Sequence, residues 1–160
     1  MISIGGDTSG NVMIFVIARN EEFKIIHKYF CGYLGFSSDC YLHFHSLSSK
    51  RRKYLAGKVS MNIEKICRHI IHVEIIIARW QFKLHSGKIV NTIISLRNKY
   101  HVDRIILGSD FLYYMKNSLN KIGPHIIDDR AIEVQVADVL ANTYRRHRKI
   151  SGDYEIRFLR

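Results

Sequence analysis

Proline and tryptophan occur once each in the 160 residues, cysteine three times, and acidic side chains number only 14. So little proline, beside only 10 glycines, excludes collagen-like and Pro/Gly low-complexity chains. The cysteines, Cys31, Cys40 and Cys67, are odd in number and irregular in spacing. That argues against a disulfide framework and agrees with a reducing compartment in which cysteines act as small buried hydrophobes. The longest apolar runs, Met13 to Ala18 and Ile75 to Ala78, fall far short of the ~20 residues of a membrane span. The opening Met1-Ile2-Ser3-Ile4-Gly5-Gly6-Asp7 lacks the basic, apolar and small-residue segments of a signal peptide. No self-similarity appears at the ~20 to 50 residue periods of solenoids. The expectation is a cytoplasmic protein with no membrane partner.

What the chain does contain is 47% hydrophobic and 24% charged residues, which excludes disorder and is enough for one domain, residues 1–160, around one core. Lysine and arginine total 25, for a formal net charge of +11. A domain this small and this basic binds polyanions at least non-specifically, so nucleic acid is the leading partner class. The competing reading is a solvated charged face that only keeps the protein soluble. Nothing in the pattern decides oligomeric state, and a homodimer stays open.

Along the chain, Ile2 to Thr8 and Val12 to Arg19 read as strands joined by the turn Ser9-Gly10-Asn11. Phe23 to Phe30 alternates weakly and is expected to be a third antiparallel strand. Residues 31–47 show no clear period, and Ser46 or Ser48 can cap the helix that follows. From Ser49 to Ile70 a helical stripe runs through Leu55, Val59, Ile63, Ile66, Cys67 and Ile70, with Arg51, Arg52 and Lys53 on its first turns. Ile71 to Arg79 reads as a strand buried on both faces. A helix beginning at Ser86, a strand from Val102 to Ser109 and a helix from Phe111 to Lys121, stopped by Gly123-Pro124, follow. Asp128-Asp129 then opens a last helix that ends in Arg145-Arg146-His147-Arg148-Lys149. A meander followed by strand-helix-strand crossovers makes an α/β mixed sheet whose later strands run parallel to the first.

Several of the few acids interrupt apolar segments: Asp7 in the first strand, Glu74 in the Ile71 to Arg79 strand, Asp110 after the Val102 to Ser109 strand and Asp138 in the last helix. Burying a carboxylate is costly unless something pairs with it. Four acids on parallel strands and an apposed helix would converge at one end, and such a like-charge cluster is held by divalent metal ions. Gln135 and Asn142 share the helical face of Asp138, while Ala137 and Ala141 let that helix approach a sheet. Each acid also has an ordinary structural role open to it. Asp7 can begin a turn, Asp110 can cap a helix, Glu74 can pair with Arg79 or Lys83, and the Asp138 stripe can face solvent.

An Asp early in a hairpin followed by Ser9-Gly10, a carboxylate after a later parallel strand, and Gln135-Val136-Ala137-Asp138 in a C-terminal helix resemble the ribonuclease H-like superfamily. Within it, they resemble an uncharacterised family that opens with Asp-Glu-Ser-Gly and closes with Gln-Leu-Ala-Asp. Thr8 stands where that family has an acid, and Val136 where it has leucine. The resemblance implies a mixed five-stranded sheet flanked by helices. It also implies a nuclease or resolvase-like site in which Asp7, Asp110 and Asp138, with Glu74 as a further ligand, bind two Mg2+ or Mn2+ ions and hydrolyse phosphodiesters. Arg51, Arg52, Lys53, Arg145, Arg146 and Arg148 are then the candidates to grip nucleic acid, by salt-sensitive contacts with phosphates. The alternative is a non-catalytic nucleic-acid-binding or assembly module on the same fold.

Other signals carry less. Cys31, Cys40, His43 and His45 are zinc-type ligands, but the gap between the cysteines is not that of a tight knuckle. The Asp7-Thr8-Ser9-Gly10 turn is similar to that of aspartic proteases, which are all-β, and to the phosphate hairpin of two-domain sugar kinases and actin-like ATPases. Tyr33, Tyr41, Tyr113 and Tyr114 can stack bases, but tyrosine at helical spacing more often packs in a core.

Overall fold

A computed structural model describes residues 1–79 and 81–160. Six strands form one mixed sheet in the order β5-β4-β1-β2-β3-β6. The strands are β1 (Ile2–Ser9), β2 (Val12–Arg19), β3 (His72–Ala78), β4 (Arg104–Leu107), β5 (Ile126–Ile127) and β6 (Tyr154–Leu159). β1, β2 and β3 are antiparallel, whereas β4 runs parallel to β1, β5 to β4 and β6 to β3. The α/β class and the mixed sheet agree with the sequence reading, with six strands in place of five. The β1–β2 loop is two residues long, with Gly10 at φ 58° in its first position, where a type II′ hairpin turn needs a residue free of a Cβ.

The third strand of the meander is β3, not Phe23 to Phe30. That segment lies in helix α1 (Asn20–Tyr33), with Glu21 and Glu22 in its first turn and Phe23, Ile26, His27, Phe30 and Cys31 buried. Buried positions spaced by three, one, three and one residues make the inner stripe of a helix, and acids in a first turn complement its dipole. The basic stretch from Ser49 divides at Asn62 into α2 (Ser49–Met61) and α3 (Ile63–Cys67), and Ser48 caps α2 by accepting the Arg51 N–H. α4 (Ser86–Tyr100), α5 (Asp110–Tyr114) and α6 (Ile132–His147) complete the helices, and no helix is long and apolar enough to cross a membrane among the described residues.

The strand pleat divides the core into two layers. Ile14, Val16, Val73 and Ile75 face α1, α2, α3 and α6, while Met13, Phe15, Ile17 and Ile76 face α4 and α5. α6 lies directly on β1, and a Cβ added to Gly5 would stand 2.3 Å from the Glu133 carbonyl oxygen. Backbone cannot yield there. Gly5→Ala should therefore lose about 3 kcal/mol in urea unfolding. Gly57→Ala, inside α2 with nothing within 4 Å of the added methyl, should gain roughly 0.5 to 1 kcal/mol.

One cysteine expectation is overturned: Cys31, in the last turn of α1, and Cys40 form a disulfide. The chain reverses after α1 through Gly35 at φ 71°, which brings a cysteine nine residues away back onto the helix. Cys67 is free and buried, as expected of a small hydrophobe.

Candidate metal centre

Three parallel strands, β1, β4 and β5, lie side by side and end at the same edge of the sheet. Each delivers one aspartate there. Asp7 is the sixth residue of β1, Asp110 opens α5 just beyond β4, and Asp129 follows β5. Asp138 comes down from α6, and all four line one pocket together with Thr8, Leu42, His43, His45, Ser109, Val134 and Gln135. Carboxyl ends of adjacent parallel strands are where open α/β sheets hold ligands. No lysine or arginine lines this pocket among the described residues.

Each carboxylate is held by neutral donors. Asp7 Oδ1 accepts the Thr8 N–H at 2.9 Å, and Asp110 Oδ2 accepts the Thr8 hydroxyl at 3.0 Å. Asp129 Oδ1 accepts the Ser109 N–H at 2.8 Å. Asp138 accepts the Asn142 amide at 2.9 Å on one oxygen and the Phe44 N–H at 2.9 Å on the other. Gly108 lets the group close in, since a Cβ there would meet Asp7 Oδ1 at 2.7 Å and Asp129 Oδ1 at 3.2 Å. The electrostatic result falls on Asp7. Burial, and then the charges of Asp138, Asp110 and Asp129, push its carboxyl up to about 8 against the Thr8 N–H, which works the other way. Asp138 is also raised, first by burial, with the Phe44 N–H and the nearby His43 and His45 opposing.

The inward polar stripe of α6 is buried, not a solvent face: Gln135 and Asp138 are each 5% exposed and Asn142 is fully covered. It fastens the segment leading into the 3-10 turn Phe44–Ser46 beside the pocket: Gln135 Oε1 accepts the Leu42 N–H at 2.8 Å and Asp138 the Phe44 N–H, while Asn142 binds the end of β1 by accepting the Ser9 hydroxyl at 2.7 Å. Leu42 and Phe44 point inward, so Tyr41, His43 and His45 are left exposed. The Tyr41 and His43 rings stack, with centroids 6.5 Å apart and planes 6° from parallel.

Asp7, Asp110 and Asp138 thus line one pocket, without ligand atoms within 4.8 Å of one another as a trio, and Glu74 lies elsewhere. Glu74 pairs across β2 with Phe15, on the face toward α4, whereas Asp7 pairs with Ile14 on the α6 face. It is 1% exposed and bound by Arg157 Nε at 2.5 Å and His72 Nε2 at 2.7 Å. Burial disfavours its charge, but these two partners outweigh burial and hold its pKa below the ordinary glutamate value. Glu74 is therefore corrected from metal ligand to structural ion pair, and its partner is neither Arg79 nor Lys83 but Arg157 of β6, a strand the sequence reading did not include. A lowered acid stabilises the fold above its unfolded pKa, and that contribution is lost as pH falls through the folded value. Glu74→Gln should cost about 1 to 2 kcal/mol at pH 7 and less at acid pH, since Arg157 is half exposed and stays solvated, while His72 is left buried beside an amide.

Asp129, His43 and His45 were not read as pocket residues. Asp129 looked like a helix start, but α6 begins later, after Ala131, without a side-chain cap. Beside the pocket, sharing Gln135 with it, is a cleft lined by Lys24, Lys28, Arg130 and Tyr41. Arg51, Lys53, Arg145, Arg146 and Arg148 are all exposed. Arg146 stands over the Phe44 ring at 5.4 Å. No family model, curated protein or solved structure matches the chain.

Proposed function

We propose that the chain hydrolyses phosphodiester bonds of nucleic acid with two divalent ions held by Asp7, Asp110, Asp129 and Asp138. The observation that carries this reading is the convergence of four carboxylates, three from adjacent parallel strands and one from the helix above them, with no lysine or arginine in the pocket they share. Hard oxygen donors of this kind suit Mg2+ or Mn2+. The raised pKa of Asp7 expresses the same demand, because a group that resists ionising beside three other acids ionises readily beside a cation. The carboxylates stand further apart than a single tight trio: among the described residues, only His27, Cys31 and Cys40 have ligand atoms all within 4.8 Å of one another. With a pair of ions about 4 Å apart, each carboxylate would need to reach only one of them.

Such ions supply a hydroxide nucleophile at neutral pH and neutralise the leaving oxygen. The protein's own contribution is position and field. Asp7 and Asp138 form a poorly solvated floor, Thr8 and Ser109 orient Asp110 and Asp129, and His43 and His45 stand at the mouth, within reach of a proton on a departing group. Lys24, Lys28, Arg130 and Arg146 draw the phosphate backbone to an otherwise acidic hole.

The test is cleavage of end-labelled single-stranded, duplex and hybrid oligonucleotides in Mg2+ or Mn2+. Cleavage that stops with a chelator is expected. Tight binding without cleavage of any substrate in either ion would make the chain a binding module instead. Affinity should fall steeply with salt, and each phosphate contact removed should lower the log–log slope by roughly 0.7 to 0.9. Replacing Arg145, Arg146 and Arg148 with Ala, or Arg51, Arg52 and Lys53, or Lys24, Lys28 and Arg130, should each reduce the slope by up to about 3 units with little change in stability. An unchanged slope in a triple variant would mark that group as a solvated face.

A further inference from the structure

The proposed chemistry leaves unused a buried cluster on the far side of Gln135. His27 and Cys31 are one turn apart on the inner face of α1, and Cys40 begins the segment that leads into the 3-10 turn Phe44–Ser46. His27 is 3% exposed and Cys31 is fully covered. Gln135 settles which ring nitrogen of His27 carries the proton. Its Nε2 donates to the Arg130 carbonyl and its Oε1 accepts the Leu42 N–H, so the amide orientation is set. His27 Nε2, 2.7 Å from that Oε1, must then be the donor. The lone pair is left on Nδ1, and Cys31 Sγ lies beside the ring, 3.7 Å from Nδ1 and 3.9 Å from Nε2. A disulfide sulfur has no proton to offer it. The structure therefore gathers a covered imidazole and two sulfurs whose ligand atoms all lie within 4.8 Å of one another, and the bond between those sulfurs occupies the coordination they could otherwise provide.

We infer that His27, Cys31 and Cys40 form a second metal site, one for a thiophilic ion of the zinc type, which is available when the Cys31–Cys40 disulfide is reduced. A dithiol reductant gives up two electrons and two protons to the disulfide, yielding two cysteine thiols and its own cyclic disulfide. Zn2+ then displaces the two thiol protons, and its charge is balanced by the two thiolates. Ideal bond lengths of about 2.3 Å to sulfur and 2.1 Å to nitrogen put tetrahedral ligand atoms roughly 3.6 Å apart across an N and S pair. The 3.7 Å between His27 Nδ1 and Cys31 Sγ is of this length, and rotation of the Cys31 side chain, once freed from Cys40, would carry the sulfur from beside the ring toward the Nδ1 lone pair. The cysteine Cα atoms are 6.0 Å apart, so side-chain rotation alone can part the sulfurs. Gln135 orients the imidazole as the outer partner of a ligating histidine does. A cleft of about 490 Å³, lined by His27, Asp39 and Cys40, gives an ion a path in and a water room to complete the tetrahedron. Soft thiolates with one imidazole select zinc over the magnesium or manganese expected among the aspartates. In either form the cluster ties the segment carrying His43 and His45 to α1.

The inference does not depend on the nuclease reading and is tested on the full chain without any substrate. Oxidised and reduced protein, with thiols counted to verify reduction, are equilibrated with Zn2+ against a chromophoric chelator, and Co2+ is used as a spectroscopic probe. Reduced protein should retain one zinc per chain more than oxidised protein, whose acidic pocket can itself take Zn2+, and only reduced protein should show a cobalt–thiolate charge-transfer band. Cys31→Ser and Cys40→Ser should weaken zinc binding by roughly a thousandfold or more. Cys67→Ser and Asp7→Asn should leave it intact, which separates this site from the free cysteine and from the acidic pocket. The inference is overturned by reduced wild-type protein that gives no thiolate band, by a disulfide that resists reduction in the folded chain, or by a thiolate band that persists in both cysteine variants. Should those variants unfold, the wild-type cobalt spectrum decides alone.

Discussion

Asp7→Asn should abolish metal-dependent cleavage, by at least ~10³-fold, while making the metal-free protein more stable at pH 8. The two effects have one cause. Asp7 is a charge placed where burial and three other carboxylates disfavour it, so that its pKa stands near 8. On the proposed reading that charge is held for a cation. The amide keeps the shape and can still accept the Thr8 N–H, but it neither ionises nor holds a metal. Removing a disfavoured charge should raise the unfolding free energy of chelator-treated protein by on the order of a few kcal/mol at pH 8 and hardly at all at pH 4. Oligonucleotide cleavage and chemical unfolding of the same preparations give both readouts. A variant that loses activity and stability together would mean that Asp7 is a structural residue.

A second large effect is the coupling of metal to pH. An acid whose pKa is raised on folding holds a proton in the native state that the unfolded chain has released. Its contribution to stability is therefore full below the unfolded value of 3.8 and is lost as pH rises toward about 8. Chelator-treated protein should accordingly melt at progressively lower temperature across that window on account of Asp7, while Glu74, shifted the opposite way, loses its contribution only at acid pH. On the proposed reading, divalent ions would relieve the repulsion by binding the folded state alone. The rise in melting temperature on adding saturating Mn2+ should thus be larger at pH 8 than at pH 5, where the ion must first displace a proton. Equal shifts at both pH values, or none, would contradict a metal centre built on Asp7.

The parts of this site that were legible in the sequence are those where composition conflicts with local pattern. Asp7 and Asp138 interrupt apolar segments, and Asp110 follows one, so their cost is visible without coordinates. Asp129 sits among polar residues before a helix, where an aspartate is ordinary, and only the position of β5 beside β4 shows its use. Glu74 carried the same signal as Asp7 but a different meaning. Whether a strand residue faces α6 or α4 depends on register, and a shift of one residue between Ile14 and Phe15 as cross-strand partners reverses it. Helix α1 was misread because a short apolar run, Phe23 to Phe30, satisfies a loose alternation as well as a helical stripe. The stripe becomes plain only when His27 and Cys31 are counted as inward positions. β6 was overlooked because half of it is exposed and polar, although its Arg157 is the residue that explains Glu74.

The central claim is that four aspartates at the ends of β1, β4 and β5 and on α6 hold paired divalent ions. Anomalous diffraction from crystals soaked in Mn2+ at pH 8 tests it most directly. The account predicts two manganese peaks about 4 Å apart, coordinated by Asp7, Asp110, Asp129 and Asp138. A pocket without anomalous density at saturating Mn2+ would contradict it.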